Sequence, residues 1–217
     1  MKLVTANTSP YARKVRIALR EKQIPCELIH DTPWNTDTSV PQFNPLEKLP
    51  ILVLDSGETV YDSRYILEWI ERYHPNPALL SQDREEALAA KRLEVLADGI
   101  LDALVLIYWE ISRPHISELW VERQRRKVVG GFREIARLIG AGEYAVGDRF
   151  GHGDIVVGAA IGAFELMHNT RGDEELFGRF YWRDAHPSLI PYYERLEKRE
   201  SFIETRPVFF DNLQSAT

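Results

Sequence analysis

Cysteine is nearly absent: the 217-residue chain holds one, Cys26. No internal disulfide can form, and a zinc site built from cysteine pairs is excluded. One free thiol fits a reducing compartment. Histidines at ligand spacing are missing too. His30, His74, His115, His152, His168 and His186 include no pair three to five residues apart, so neither a helical nor a finger-like metal motif exists. No run is long enough for the membrane. The longest apolar stretch, Ile155 to Phe164, is about half the roughly 20 residues that a span needs. Met1 to Thr5 is too short an apolar opening for a secretory signal. No phosphate loop is present, because Gly140-Ala141-Gly142 lacks a following glycine and a preceding strand. Charge of one sign is not concentrated. Residues 1–76 carry 9 basic and 10 acidic side chains and residues 77–217 carry 18 and 23. That balance, with a net charge of -6, argues against nucleic acid or an acidic membrane surface as partner. The expectation is a soluble cytoplasmic protein.

What is present reads as two parts. Lys2–Thr5 is a strand candidate, followed by a helix from Pro10 to about Lys22 with Val15, Ala18 and Leu19 on one face. Cys26–His30 alternates like a second strand. Residues 31–46 form a long loop with room for one helical turn. Ile51–Leu54 is a buried strand, Asp55-Ser56-Gly57-Glu58 a tight turn, and Thr59-Val60-Tyr61 the returning strand of a hairpin. Ser63–His74 is helical, with Ile66, Leu67 and Ile70 on one stripe. Pro75-Asn76-Pro77 then ends the first part. Beyond it the pattern is helical: a first helix carrying Leu93, Leu96, Ile100, Leu104 and Ile107, a second from Val121 to Ile139, an apolar third from Asp154 to about His168, and a last from Ser188 to Lys198. The expected division is 1–76 as an α/β domain, 77–84 as a linker and 85–217 as an all-helical domain.

Three short features could carry chemistry. Ser9 stands before Pro10, an N-cap followed by the first helical position. Unpaired N–H groups and the positive end of the helix dipole converge there, which stabilises an anion such as a thiolate. The hydroxyl can cap the helix and still donate its own proton to a ligand sulfur, so both readings stand. Pro50 enters a strand that otherwise reads as central, where proline is unusual. A cis Leu49–Pro50 bond would explain it, although most prolines are trans and the segment by itself does not select it. Asp62-Ser63 opens a helix, either as a simple cap or as a cradle in which Ser63 takes a carboxylate and Asp62 pairs with an ammonium group.

In this order and spacing, Ser9-Pro10-Tyr11-Ala12-Arg13, Asn44-Pro45-Leu46-Glu47-Lys48-Leu49-Pro50-Ile51-Leu52, Asp62-Ser63 with Ile66, and Asp154-Ile155 resemble the cytosolic glutathione transferase family of the serine type. The resemblance covers essentially the whole chain. It implies a thioredoxin-like α/β domain followed by a helical bundle, and an enzyme that joins the glutathione thiolate to a small electrophile. Glutathione would be the co-substrate. Ser9 would activate the sulfur, with Thr8 as the neighbouring alternative. Leu49 would pair its backbone with the cysteinyl part beside cis-Pro50. Asp62 and Ser63 would hold the γ-glutamyl end, and Lys48 the glycyl carboxylate. The second substrate would sit near Tyr11, Tyr108, Trp109, Arg113 and His115, although aromatics at 108 and 109 equally suit packing. Asp154 matches the family's capping acid of the buried core helix, with Gly151 where a Ser or Thr cap is usual. Cys26 does not stand at the position of the family's catalytic cysteine. The resemblance also implies a homodimer. Its alternative implication is a catalytically weak binding or regulatory protein like the stringent starvation proteins.

Overall fold

The computed structural model describes residues 1–171 and 180–208. They form two compact units, Met1–Leu79 together with the residues from Glu200 onward, and Leu80–Arg199.

The first unit is built on a four-stranded sheet in the order β2-β1-β3-β4. β1 (Lys2–Thr5) runs parallel to β2 (Glu27–His30) and antiparallel to β3 (Ile51–Val53), which pairs with β4 (Thr59–Val60). The β1–β2 pair is parallel because α1 (Pro10–Glu21) carries the chain back between them. Leu3, Val4, Ile51 and Leu52 are fully buried, as the apolar runs require. The loop after β2 contains the single turn α2 (Val40–Phe43), whose Val40 packs on Val4 and Ile51. α3 (Ser63–Tyr73) buries Ile66, Leu67 and Ile70.

α1 is buried more completely than its apolar stripe requires. Arg13 and Lys14 have no exposed surface, and Arg16 is buried beside them. Arg13 and Arg16 are covered by the segment around α9 (Glu200–Glu204), tied on by Arg20 Nε to Glu204 Oε2 at 2.9 Å and by Ser201 Oγ to Glu21 Oε1 at 2.5 Å. The expectation that all of 85–217 forms one helical domain therefore does not describe this segment, which groups with the first unit.

Lys22 closes the other end of α1. Its Nζ donates to the carbonyls of His74 and Pro77, each at 2.7 Å, and pairs with Glu71 Oε2 at 2.8 Å, with its side chain fully buried. One ammonium thus caps α3 and pins the chain that follows it. Lys22→Met takes the donor from all three oxygens while keeping the bulk. It is expected to destabilise folding by about 3 kcal/mol, read as a shift in urea midpoint. A loss below about 0.5 kcal/mol, the size of an ordinary surface change, would show that the tie carries no weight.

In the second unit α4 (Arg84–Ile111) packs on α5 (Glu118–Ile139) and on α6 (His152–Arg171). The close approach of α4 and α5 falls at Gly131, where a Cβ would lie 2.6 Å from the Ile100 side chain. α6 is buried all round from Ile155 to Ile161. α7 (Trp182–Ala185) and α8 (Leu189–Leu196) complete the unit. Asp154, third in α6, reaches back as half a capping box: Oδ2 accepts from the Gly151 N–H at 2.9 Å and Oδ1 from the Ala145 N–H at 2.8 Å. Glycine at 151 supplies no side-chain oxygen, so the Asp154 N–H turns to the Gly151 carbonyl at 3.1 Å. Among the described residues no helix is long and apolar enough to cross a membrane.

Candidate functional site

The strand register brings three of the motifs to one edge of the sheet. Val4 lies opposite Ile51 and Leu52 opposite Val60. Continuing that register sets Pro50 opposite Thr5 and Asp62 opposite Pro50. The turn leading to Ser9, the Leu49–Pro50 step and the start of α3 therefore leave the sheet at the same end. This is the carboxyl end of parallel β1 and β2, where open α/β sheets take their ligands.

Ser9 is the N-cap of α1 in extended conformation (φ -77°, ψ 113°), with Pro10 first in the helix. Its Oγ accepts from the Ala12 N–H at 3.2 Å. That bond uses a lone pair and leaves the hydroxyl proton to be donated elsewhere. The side chain is half-buried, so a ligand atom can reach it. α1 has no acidic residue in its first turn, so nothing of its own there competes with a bound anion. Tyr11 is half-buried, with Lys14 Nζ 5.9 Å from its ring centre.

The Leu49–Pro50 peptide is cis. Asn44, buried, shapes the turn before it: Nδ2 donates to Lys48 O at 2.8 Å and Oδ1 accepts from the Leu46 N–H at 2.9 Å. Pro50 is buried, Leu49 half-buried and the Lys48 side chain exposed. Asp31 sets the preceding loop. Its carboxylate accepts from the Thr32 and Ser39 N–H groups and from both of the Thr38 and Ser39 hydroxyls, at 2.6 to 2.9 Å. Neither Asn44 nor Asp31 is marked for this work by the sequence, although Asn44 opens the Asn-Pro motif.

Asp62 is the N-cap of α3 and follows a cis Tyr61–Asp62 peptide. Oδ1 accepts from the Arg64 N–H at 2.9 Å and Oδ2 pairs with Arg64 Nη2 at 3.2 Å. Burial pushes this carboxyl up, but the Arg64 hydrogen bonds and the charges of Arg64 and Lys14 outweigh it and hold the group below its usual range. The carboxylate is thus already engaged by Arg64, where the sequence suggests it is free for an ammonium group. An exposed guanidinium at 58% side-chain accessibility can share it with an incoming cation. Ser63 is buried at the first helical position.

The remaining second-substrate candidates lie in the second unit. Tyr108 and Trp109 sit late in α4, edge to face with ring centres 5.3 Å apart, and Trp109 is 38% exposed. Arg113 and His115 follow in the exposed turn, where Arg113 lies 3.6 Å from Glu110. Cys26 is half-buried, and burial raises its thiol above the ordinary range, the direction of an unreactive cysteine. Among the described residues no cluster of histidine, cysteine or carboxylate side chains could hold a metal ion.

Two family models match the chain, the glutathione S-transferase N-terminal domain over residues 3–78 and the C-terminal domain over 118–195. An uncharacterized GST-like protein of Escherichia coli, YibF, is 37% identical over 95% of this chain and 98% of its own length. A glutathione S-transferase structure from Methylobacterium radiotolerans, in complex with glutathione sulfonate, is 48% identical. It covers 96% of this chain and 95% of its own, with a TM-score of 0.89. One from Methylobacillus flagellatus with glutathione bound is 35% identical, covers 95% and 99%, and has a TM-score of 0.87.

Proposed function

This chain belongs to the glutathione S-transferase family, and on that premise we propose that the Ser9 hydroxyl donates a hydrogen bond to the glutathione sulfur and holds it as thiolate, its thiol proton released to solvent, for attack on an electrophilic carbon. The protein is a glutathione transferase with glutathione as co-substrate. The observation that carries the role of Ser9 is its half-exposed hydroxyl at the start of α1, with its lone pair spent on the cap and its proton not. The sulfur attacks, a C–S bond forms, and a leaving group departs with its bonding pair. At an activated alkene the resulting carbanion takes up a proton instead. Serine at this position cannot form a mixed disulfide, so disulfide exchange through an enzyme thiol is disfavoured.

The tripeptide lies along the sheet edge. Leu49 offers its backbone to the cysteinyl part beside Pro50. Ser63 takes the γ-glutamyl carboxylate at the α3 N-terminus, and Asp62 takes the ammonium group. Lys48, exposed at the same edge, faces the glycyl carboxylate. The chain acts as a cytoplasmic homodimer. Exposed apolar residues on α3 and α4, Tyr65 at 57%, Tyr73 at 68% and Val95 at 68%, support association. Light scattering should then give twice the 25.1 kDa chain mass.

Asp62→Asn tests the assigned glutathione orientation. Asparagine keeps the helix cap but removes the charge. The KM for glutathione should rise about tenfold, the loss of one charge-assisted hydrogen bond, with kcat nearly unchanged. Because the Asp62 pKa lies below its usual range, this carboxylate stays ionised above about pH 5. The KM penalty should therefore be flat from there up to about pH 8, where the glutathione ammonium group begins to lose its proton, and shrink beyond it. An unaltered KM would place the γ-glutamyl end elsewhere. A conjugation assay with a chromogenic electrophile tests turnover itself, and its absence would favour a binding role.

A further inference from the structure

The turn that presents Ser9 is held from behind by a cation that the chemistry above leaves unused. The Ser9 N–H donates to Ala6 O at 3.1 Å, closing a turn with Asn7 and Thr8 at its tip. Asn7 Oδ1 accepts from Arg16 Nη1 at 2.9 Å. The same guanidinium donates through Nη2 to Thr205 O at 3.2 Å, and the Val208 N–H points to Asn7 O at 3.4 Å. Arg13, one turn earlier on α1, donates to Phe202 O at 3.3 Å and lies over the Phe202 ring at 5.2 Å. The Phe202 and Thr205 carbonyls lie at the end of α9, where helix carbonyls lack partners and carry the negative end of the dipole.

A buried guanidinium is costly to desolvate, and an apolar side chain would fill this space without that cost. What arginine adds is a planar fork that bonds two separate chain segments at once. We infer that Arg16 is a positioning residue for the glutathione reaction: through Asn7 it fixes the Ala6–Ser9 turn, and with it the Ser9 hydroxyl, against the C-terminal segment Glu200–Val208. The inference rests on the Ser9 assignment. A hydroxyl bonding a thiolate is sensitive to aim, and small displacements of such a donor weaken it steeply. The neighbours that charge this site are Arg13 on α1 and His30 on β2. Burial and Arg13 together lower the Arg16 pKa to about 10, so it remains a cation at neutral pH. His30 is held below its ordinary value by burial and by Arg16.

The test measures the pKa of enzyme-bound glutathione, from thiolate absorbance and from the pH dependence of kcat/KM, in wild type, Ser9→Ala, Asn7→Ala, Arg16→Lys, Arg16→Met and the Asn7→Ala/Arg16→Met double variant. Asn7→Ala removes the link without touching the buried cation, so it keeps the test alive if Arg16→Met folds poorly. Asn7→Ala and Arg16→Met should each raise the thiol pKa by about 1 unit, a roughly threefold fall in thiolate fraction near pH 7 that approaches about tenfold well below the wild-type pKa. The double variant should be no worse than the worse single, because both break one connection. The KM for glutathione at high pH should change less than about twofold. Lower thermal stability with an unmoved thiol pKa would make Arg16 merely structural and overturn the inference. So would a wild-type pKa in both Asn7→Ala and Arg16→Lys, since the charge alone would then act. If the wild-type thiol pKa is itself unshifted, the Ser9 reading falls first. If Ser9→Ala moves it and Asn7→Ala does not, only the positioning role falls.

Discussion

Ser9→Ala should raise the pKa of bound glutathione by about 1–2 units and cut kcat/KM at pH 7 by roughly 3- to 25-fold, with the deficit closing as the pH rises past the new pKa. The magnitudes support this. A free thiol of pKa about 8.5 is only a few per cent thiolate at pH 7, and lowering it by about 2 units requires roughly 2.7 kcal/mol of preference for the anion. A hydrogen bond to a charged acceptor supplies roughly 1.5–3 kcal/mol, and a helix N-terminus adds roughly 0.3–1. The hydroxyl contributes more than the helix end, so its removal should leave a small residual shift from α1 itself. Alanine also deletes the cap to the Ala12 N–H, worth about 1 kcal/mol of stability. Ser9→Gly separates the two effects, because glycine caps almost as well and has no hydroxyl. Both variants should show the same thiol pKa, and only alanine should lower the melting temperature appreciably. An unchanged pH–rate profile in both would transfer the role to Thr8, whose own hydroxyl lies one residue earlier.

Asp154→Ala should cost about 4 kcal/mol of folding stability, a large part of the roughly 5–15 kcal/mol that holds a typical protein folded. Three donors converge on this buried carboxylate: the Ala145 and Gly151 N–H groups and the Tyr192 hydroxyl at 3.0 Å. Each donor left unsatisfied in the core costs about 1–3 kcal/mol. Alanine removes all three bonds, while Asp154→Asn keeps the volume and one acceptor oxygen and should lose about half as much. The pH dependence has an unusual sign for a carboxylate. Burial, outweighing the three donors, raises the Asp154 pKa above its ordinary value of 3.8. The folded state therefore holds this proton more tightly than the unfolded chain. The stability it contributes is full below the ordinary pKa and declines as the pH rises through the raised one. Denaturation of wild type against Asp154→Asn across that acidic range should show it. A difference between the two proteins that grows with pH there would contradict the assignment.

Legibility in the sequence followed the range of the interactions. The strands, the three long helices and the Ser9 cap depend on neighbours within a few residues, and period and capping chemistry expose them. Ser9 accepting from Ala12 and Asp154 reaching Gly151 are contacts across three residues. The cis Leu49–Pro50 bond could be suspected from proline at a strand entry, yet only the resemblance selected it. The long-range ties left no local mark. Nothing near Arg13 or Arg16 announces that their partners are the carbonyls of Phe202 and Thr205, 189 residues away in each case. The same holds for Lys22 with His74 and Pro77, and for Tyr192 with Asp154. The C-terminal segment was unreadable for this reason: its place is set by charged groups on α1 rather than by a periodic apolar face of its own. Arg64 escaped notice because a charge beside a helix start ordinarily points into water, and its engagement with Asp62 depends on the cap geometry.

A crystal structure with glutathione bound addresses the central claim most directly. The sulfur should lie within hydrogen-bonding distance of Ser9 Oγ at the start of α1, with the γ-glutamyl end at Asp62 and Ser63. A sulfur seated away from Ser9, or no tripeptide along this sheet edge at all, would contradict it.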